Sequence, residues 1–556
     1  MVASALLAAS LIALGSASPL KRATSGQVSS TITSSAQGSS TAASSNSVGL
    51  SVSNAYPPSG TSVDTSLFPP ESVVGFPQPT PTGVEPFAVQ TAPYPSHTAI
   101  NPLTVPTTDI NIAEYWGNLS PAYSVSSSKY GLDSATPRIP ENCSITQVHI
   151  YFRHGARYPT TGSAPSAFAE KLHNASLSGF SASGNLSFLN NWTYKLGAEL
   201  LTPFGRQQNF MLGVSARQEY GALLNNFTLA QTLPVFRTQS QDRMVKTMLN
   251  FAGGFFGIPE YQDSVNIEIG VEAEGVANYG APYDTCKNAD LEYGSVGSKA
   301  ATAFVEPYFN QTAKRLASHV QNFNFTSADV IAMLQLCAYE TVALGSSAFC
   351  PLFTSEEYRV FERYYDIEFY GNNGPGSPVS AAQGLGYLQE LVARLNHTLI
   401  TDFSKGAANQ TLDGNEKTFP LNQSIYADGG HEVALADALT ALNLTALAKS
   451  GAPSKNSLDS STYVASQIVP FATALQIQVL ECSQKSPSKQ IRFILNDAVI
   501  PLTYEGCESD KNGLCSYDTV LQALIRRIDE IDYEYACNGN YTVPEYGQIT
   551  NGIPLK

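Results

Sequence analysis

Positive charge is scarce in this chain. Its 556 residues include 31 lysines and arginines against 46 aspartates and glutamates, giving a formal net charge of −15 and a pI near 5.0. So few cations cannot build the basic face that polyphosphate binding requires, which argues against nucleic acid as a partner. Cysteine is sparse too: eight residues, scattered, with no CxxC pair, a pattern that does not suit a zinc site. Long apolar runs are missing beyond the N-terminus. No later stretch approaches the ~18 consecutive apolar residues of a membrane span, and the final "QITNGIPLK" has no hydrophobic tail for a lipid anchor. There is no internal repeat.

What is present points outward from the cell. "MVASALLAASLIALGSAS" has the length and small-residue ending of a signal peptide, and Lys21-Arg22 follows as a dibasic processing site, so residues 1–22 are expected to be removed. Thirteen Asn-x-Ser/Thr sequons, from Asn118 to Asn540, suit a glycosylated surface. An even number of cysteines suits four disulfides in an oxidising compartment. The composition predicts a secreted protein carrying N-glycans. Residues 23 to about 55 are dominated by Ser, Thr and Ala, and prolines take over from Tyr56 to Pro106. Such composition buries little apolar surface, and it predicts a disordered stalk over 23–109. A folded domain is expected over 110–545, and at 43% hydrophobic and 10% aromatic the chain has material for a large core.

Within that domain, strand-like and helix-like segments alternate. "LPVFR" (233–237) reads as a buried strand and "DRMVKTMLNFAGGFF" as the helix after it. "SADVIAMLQLCAYETVALG" (327–345) reads as a helix closed by Gly345. "LQIQVLEC" (475–482) and "IRFILND" (491–497) read as a hairpin. The alternation predicts a large mixed-sheet α/β domain, with a smaller, mainly helical lobe from roughly 165–230 and 285–400.

Three segments concentrate chemistry. In "VHIYFRHGARYPT" a short hydrophobic strand runs into Arg153, His154 and Arg157, with Gly155 as the exit from the strand. Two arginine forks beside a histidine suit phosphate or carboxylate oxygens. In "FRTQSQDRM", Arg237 stands at a strand's carboxyl end, where open α/β sheets bind ligands; Arg243, inside the helix, reads as a structural ion-pair partner. In "YADGGHEVALADALTALNL", His431 and Glu432 fall at a helix N-terminus, where free backbone donors favour an anion.

Together these segments resemble the histidine acid phosphatases, the family that includes the fungal phytases. "RHGARYP" matches the family's nucleophile motif, "RTQSQDR" resembles its second arginine segment and "YADGGHE" its "YADFSHD". "EYWGNLSPAYSV", "FCPLFTSEEY", "AAQGLGYLQELVARL" and "LNDAVIPL" extend the likeness over roughly 110–540. The resemblance implies a phosphoglycerate-mutase-like sheet domain, His154 as nucleophile, and Arg153, Arg157, Arg237 and His431 as phosphate ligands. Glu432 is implied as proton donor, where the family usually has Asp; Asp428 is the alternative carboxylate. No metal and no cofactor are implied, because arginines supply the charge. The resemblance also pairs Cys143 with Cys482, Cys286 with Cys537, Cys337 with Cys350 and Cys507 with Cys515.

The expected substrates are phosphate monoesters, phytate among them. The loop after "RHGARYPT" has no lysine before Lys171, and Asp366 and Glu368 stand where the phytases are more basic. Both facts favour a broad acid phosphatase over a dedicated 3-phytase. A cell-wall glycoprotein that keeps the fold as a binding module is the non-enzyme alternative.

Overall fold

The computed structural model describes residues 56–74, 103–106 and 108–556, all within one unit. The expected signal peptide and most of the expected stalk lie outside the described residues. The centre is the strand Cys143–Arg153 (β1), whose last six residues are all buried, with Val148, Ile150, Tyr151 and Phe152 supplying its apolar surface. On one side it pairs in parallel with Ile425–Gly430 (β4), which in turn pairs in parallel with Val235–Gln239 (β2), and that with Asn266–Gly270 (β3). On the other side β1 runs antiparallel to Ala474–Cys482 (β5), followed by Lys489–Leu495 (β6) with Ala498–Ile500 (β7) and Cys515–Ser516 (β8) on it. These eight strands form one mixed sheet, as the alternation of segments predicted.

Helices cover both faces. Val148, Ile150 and Phe152 of β1 point to one side, with Phe236, Phe251 and Phe255, beneath Pro203–Tyr220 (α2) and Asp242–Phe256 (α3). Tyr151 points to the other, where Ser327–Leu344, Ser355–Asn372, Leu385–Asn396 and Glu432–Ala441 bury the larger core. The segment 203–230, expected in a helical lobe, packs on the sheet: Ala216, Tyr220, Leu223, Leu224 and Phe227 share a core cluster with Val148, Ile150 and Phe152. Ser327–Leu344 starts on a capping box of Thr326 and Asp329 and stops at Gly345, whose φ of 90° suits only glycine well. Among the described residues it alone is long and apolar enough to cross a membrane, but 67% of it is buried inside the protein.

Two boundaries move. The segment 56–74, expected to be unstructured, packs on the sheet edge. Tyr56 stacks on Phe256 at 5.6 Å, and the Asp64 amide donates to Asn266 Oδ1 of β3 at 3.0 Å. The C-terminal tail also continues past 545. Asn551 accepts from Arg527 at 2.6 Å, and the Gly552 amide donates to Pro375 O at 2.9 Å. All four disulfides are formed in the expected pairing, and Cys143–Cys482 joins residues that face each other in the β1–β5 register. They suit an oxidising compartment.

One core residue makes the fold sensitive to acid. His149 on β1 is fully buried and stacks on Tyr426 at 4.6 Å, and neither ring nitrogen has a hydrogen-bond partner. Burial, helped by Arg394, pushes its pKa from 6.5 down to about 3. The unfolded chain binds this proton near pH 6.5 and the folded chain does not, so stability falls as pH drops from about 6.5 towards 3. At pH 4.5 the loss is about 3 kcal/mol, from two pH units at 1.36 kcal/mol each. His149→Phe keeps the stacking and removes the proton site. Its unfolding midpoint should exceed that of the wild type by a margin that widens between pH 7 and pH 4. A margin independent of pH would contradict this reading.

Candidate active site

Parallel pairing explains why two distant motifs meet. Register places Arg153 opposite Gly430, so the residues after them, His154 and His431, leave the sheet side by side, and the His154 amide donates to Gly430 O at 3.1 Å. The chain then turns hard against α2. A Cβ on Gly155 would lie 2.1 Å from Gly205 O, so only glycine allows this approach, and the Gly155 amide donates to Asn209 Oδ1 at 2.8 Å. His431 is the N-cap of Glu432–Ala441, as the sequence predicted, and Glu432 is its first residue.

His154 is fully buried, and burial holds its pKa well below that of an ordinary imidazole, so the ring is neutral. Its Nδ1 donates to Gly155 O at 2.9 Å, which leaves the lone pair on Nε2. That lone pair faces Glu432 Oε2 at 3.1 Å. Burial pushes the Glu432 carboxyl up, but Arg153 and Arg157 outweigh it and hold the group well below the usual carboxylate range. With both groups deprotonated, two acceptors meet, a contact that an entering electrophile relieves.

The arginines surround this pair. Arg153 Nε donates to Glu432 Oε2 at 3.0 Å, its Nη1 donates to Asn118 O and Val469 O, and its guanidinium lies 4.4 Å over the Phe471 ring. Arg157 Nη2 lies 3.8 Å from Glu432 Oε1. Arg243, the second residue of α3, donates from Nη1 to Glu199 Oε2 at 3.0 Å, and its charge acts on both His154 and Arg157. Arg153 Nη2, Arg157 Nε and Arg243 Nε are buried N–H groups without a protein partner. Three guanidinium donors left open around one space are suited to an entering oxyanion. His431 stands edge-on to His154 with ring centroids 5.7 Å apart, and its Nε2 meets Glu272 Oε2 at 3.1 Å.

Arg237 is not part of this group. It lies opposite Asp428 in the sheet, two residues short of the strand end that carries Arg153. Its Nε donates to Asp428 at 2.7 Å, Nη1 to Asp413 and Nη2 to Glu390, so all three nitrogens are engaged. Arg243, read from the sequence as a structural partner, occupies the place expected of Arg237. Asp428, the alternative carboxylate, has its two oxygens hydrogen-bonded by Arg237 and Arg394. Burial pushes its carboxyl up, but Arg237 and Arg394 bind it from two sides and hold it far below the usual range. Asp366 and Glu368 do not line this site either. Asp366 is buried against Arg363 at 3.3 Å, and Glu368 accepts from Ser298 at 3.1 Å. Lys171 is bound to Asp329.

Sequence reasoning missed Glu272. It is fully buried just beyond β3, and no motif marks it. Burial pushes its carboxyl up, but His431 and Arg243 outweigh this and keep it below the usual value. His154, His431 and Glu432 could also hold a metal ion, since their ligand atoms lie within 4.8 Å of one another. Three guanidiniums around the same space oppose a dication and suit an oxyanion.

Residues 144–496 match the model of the histidine phosphatase superfamily (branch 2). The chain is 31% identical over 430 residues to Phytase A of Aspergillus oryzae, covering 74% of this chain and 88% of that one. It is also 31% identical over 424 residues to Phytase A of Aspergillus fumigatus, covering 74% and 87%. Among solved structures, the phytase of D. castellii superposes with a TM-score of 0.63 at 24% identity, over 78% of this chain and 89% of that one.

Proposed function

Because the chain belongs to branch 2 of the histidine phosphatase superfamily, and because orphan arginine donors surround His154, we propose that it is a secreted acid phosphatase that hydrolyses phosphate monoesters, phytate among them, through a phosphohistidine. The orphan donors carry the reading. In it, the substrate phosphoryl group enters between His154 and Glu432 and takes hydrogen bonds from Arg153, Arg157, Arg243 and His431, the last held by Glu272. His154 Nε2 attacks phosphorus, the P–O ester bond breaks, and Glu432 gives its proton to the leaving oxygen. A water then attacks the phosphohistidine, Glu432 takes its proton, the N–P bond breaks, and phosphate leaves. Charge on the three arginines stabilises the transferring oxygens throughout.

Glu432 must be protonated for the first step, although the free site keeps it ionised. An arriving phosphate anion offsets Arg153 and Arg157, and the carboxyl takes up its proton as substrate binds. Activity on poor leaving groups should therefore fall as pH rises and this proton is lost. Glu432→Gln should lose about 10²–10⁴-fold in phosphoryl transfer from glycerol phosphate. With p-nitrophenyl phosphate, whose leaving group needs no proton, the loss in the same step should be far smaller. Pre-steady-state kinetics on both substrates read the two steps apart, and equal losses would remove Glu432 from the acid role.

Broad specificity is favoured by the segment Thr161–Glu170, which carries no basic residue, and by Lys171, which is held by Asp329 at 2.5 Å. A substrate with several phosphates finds few further cations there. The second reading, a dedicated phytase, is favoured by the names of the relatives. The deciding assay compares kcat/KM for p-nitrophenyl phosphate, glycerol phosphate and phytate, each with and without EDTA. Comparable values for all three, insensitive to EDTA, are expected. Hydrolysis of phytate alone would favour the second reading, and no hydrolysis would overturn both.

A further inference from the structure

Glu199 is a non-glycine residue held in the left-handed backbone region, with φ of 67°. Strain of this kind persists where the surrounding structure enforces it, and it gathers at functional sites. Here the enforcing contacts are visible. The Glu199 amide donates to Pro159 O at 3.1 Å, the Tyr158 amide donates to Leu200 O at 2.9 Å, and Arg157 bridges to Leu201. These bonds zip the segment that follows the nucleophile onto the segment that carries Glu199. The carboxylate then makes two further bonds in different directions. Oε1 accepts from the Thr161 amide at 2.9 Å, and Oε2 accepts from Arg243 Nη1 at 3.0 Å. Its charge also acts on Arg157.

We infer that Glu199 is a positioning residue of the phosphate pocket, fixing Arg243 against the segment 157–161 so that the two arginines on separate elements address one phosphoryl group. The inference rests on the proposed phosphatase reading. Arg243 belongs to α3 and Arg157 to the loop after β1, and no bond between their own side chains could align them, since both are cations. Glu199 supplies the anion that ties one to the other's loop. It takes only Nη1 of Arg243, so the buried Nε remains available to substrate. Its side chain is 20% exposed, at the rim and not under the nucleophile, so its role is to hold a donor and not to touch the reacting atoms.

Glu199→Gln keeps the shape and an acceptor for the Thr161 amide while removing the ion pair. The expected result is a roughly 10-fold or greater rise in both the KM for p-nitrophenyl phosphate and the inhibition constant for inorganic phosphate. A bond to a charged group is commonly of this size. The unfolding midpoint should change little, and Glu199→Asp should restore part of the affinity. In an Arg243→Gln background, Glu199→Gln should cost less than about twofold further, because it acts through that arginine. Wild-type phosphate affinity in Glu199→Gln, or full additivity of the two substitutions, would overturn the inference. A midpoint loss with unchanged phosphate affinity would reduce Glu199 to a structural tie and overturn it as well. If the wild-type protein hydrolyses no phosphate ester, the proposed function fails first, a result distinct from either of these.

Discussion

His154→Ala is expected to lose turnover by on the order of 10⁴–10⁶-fold, the scale on which removing a nucleophile acts. His154 Nε2 carries an uncharged lone pair directed at Glu432, because Nδ1 is committed to Gly155 O. Arg153 and Arg157 carry no free pair, and Glu432 faces the same space from the opposite side, at 3.1 Å from Nε2. Loss of turnover alone would not identify the intermediate. Quenching the wild type during turnover of a ³²P-labelled ester should trap label that is stable in base and released by acid, as a phosphoramidate is. The variant should trap none while keeping its far-UV circular dichroism and its secretion. Acid-stable label, or label on the variant, would rule out the phosphohistidine.

Arg237 and Arg243, six residues apart in one short segment, should respond to substitution in opposite ways. Arg237 is the cation of a buried network in which Asp428, Glu390 and Asp413 all bind it. Burial pushes Glu390 up to about 8, Asp413 to about 6 and the nearby Glu268 to about 7, so the network tolerates little additional negative charge. Arg237→Met should therefore cost about 3–5 kcal/mol of stability, the scale for leaving a buried partner uncompensated. Any activity loss should follow the folded fraction. Arg243→Met removes a pocket donor instead and should lower kcat/KM by about 10²–10³-fold, as loss of a transition-state donor does. Its effect on the unfolding midpoint should be small. Denaturant unfolding and steady-state kinetics on both variants decide the matter, and a reversal of the two outcomes would return Arg237 to the pocket.

That pair also shows where sequence reading stops. The strand, the tight turn and the His154 and Arg157 cluster were legible because each depends on neighbours in the chain. Gly155 needs no knowledge of Gly205 to be read as a turn. The meeting of His154 with His431 was legible through the family's motifs, and the β1–β4 register explains it physically. Arg237 was misread because its partners come from three other segments, and a strand end gives no sign of where buried carboxylates will arrive. Glu272 and Glu199 were invisible for the same reason: each matters through a side chain far away in sequence. The edge segment 56–74 was misread for a different one. Its prolines and serines predict little burial, yet Tyr56 and Phe68 suffice to seat it on α3 and β3, where an extended segment needs few contacts. Composition averages over residues, and docking depends on one or two.

Asn118 joins two roles that conflict. Its backbone carbonyl holds Arg153 Nη1, the residue is 9% exposed, and it opens the sequon Asn118-Leu119-Ser120. A glycan is attached to an unfolded chain, before any pocket exists to hide the asparagine. A branched sugar at this point could not be carried into a core site, so a chain modified there would lose the carbonyl that seats Arg153. On the proposed reading, full activity would require the segment Trp116–Ser120 to close before any sugar is added to Asn118.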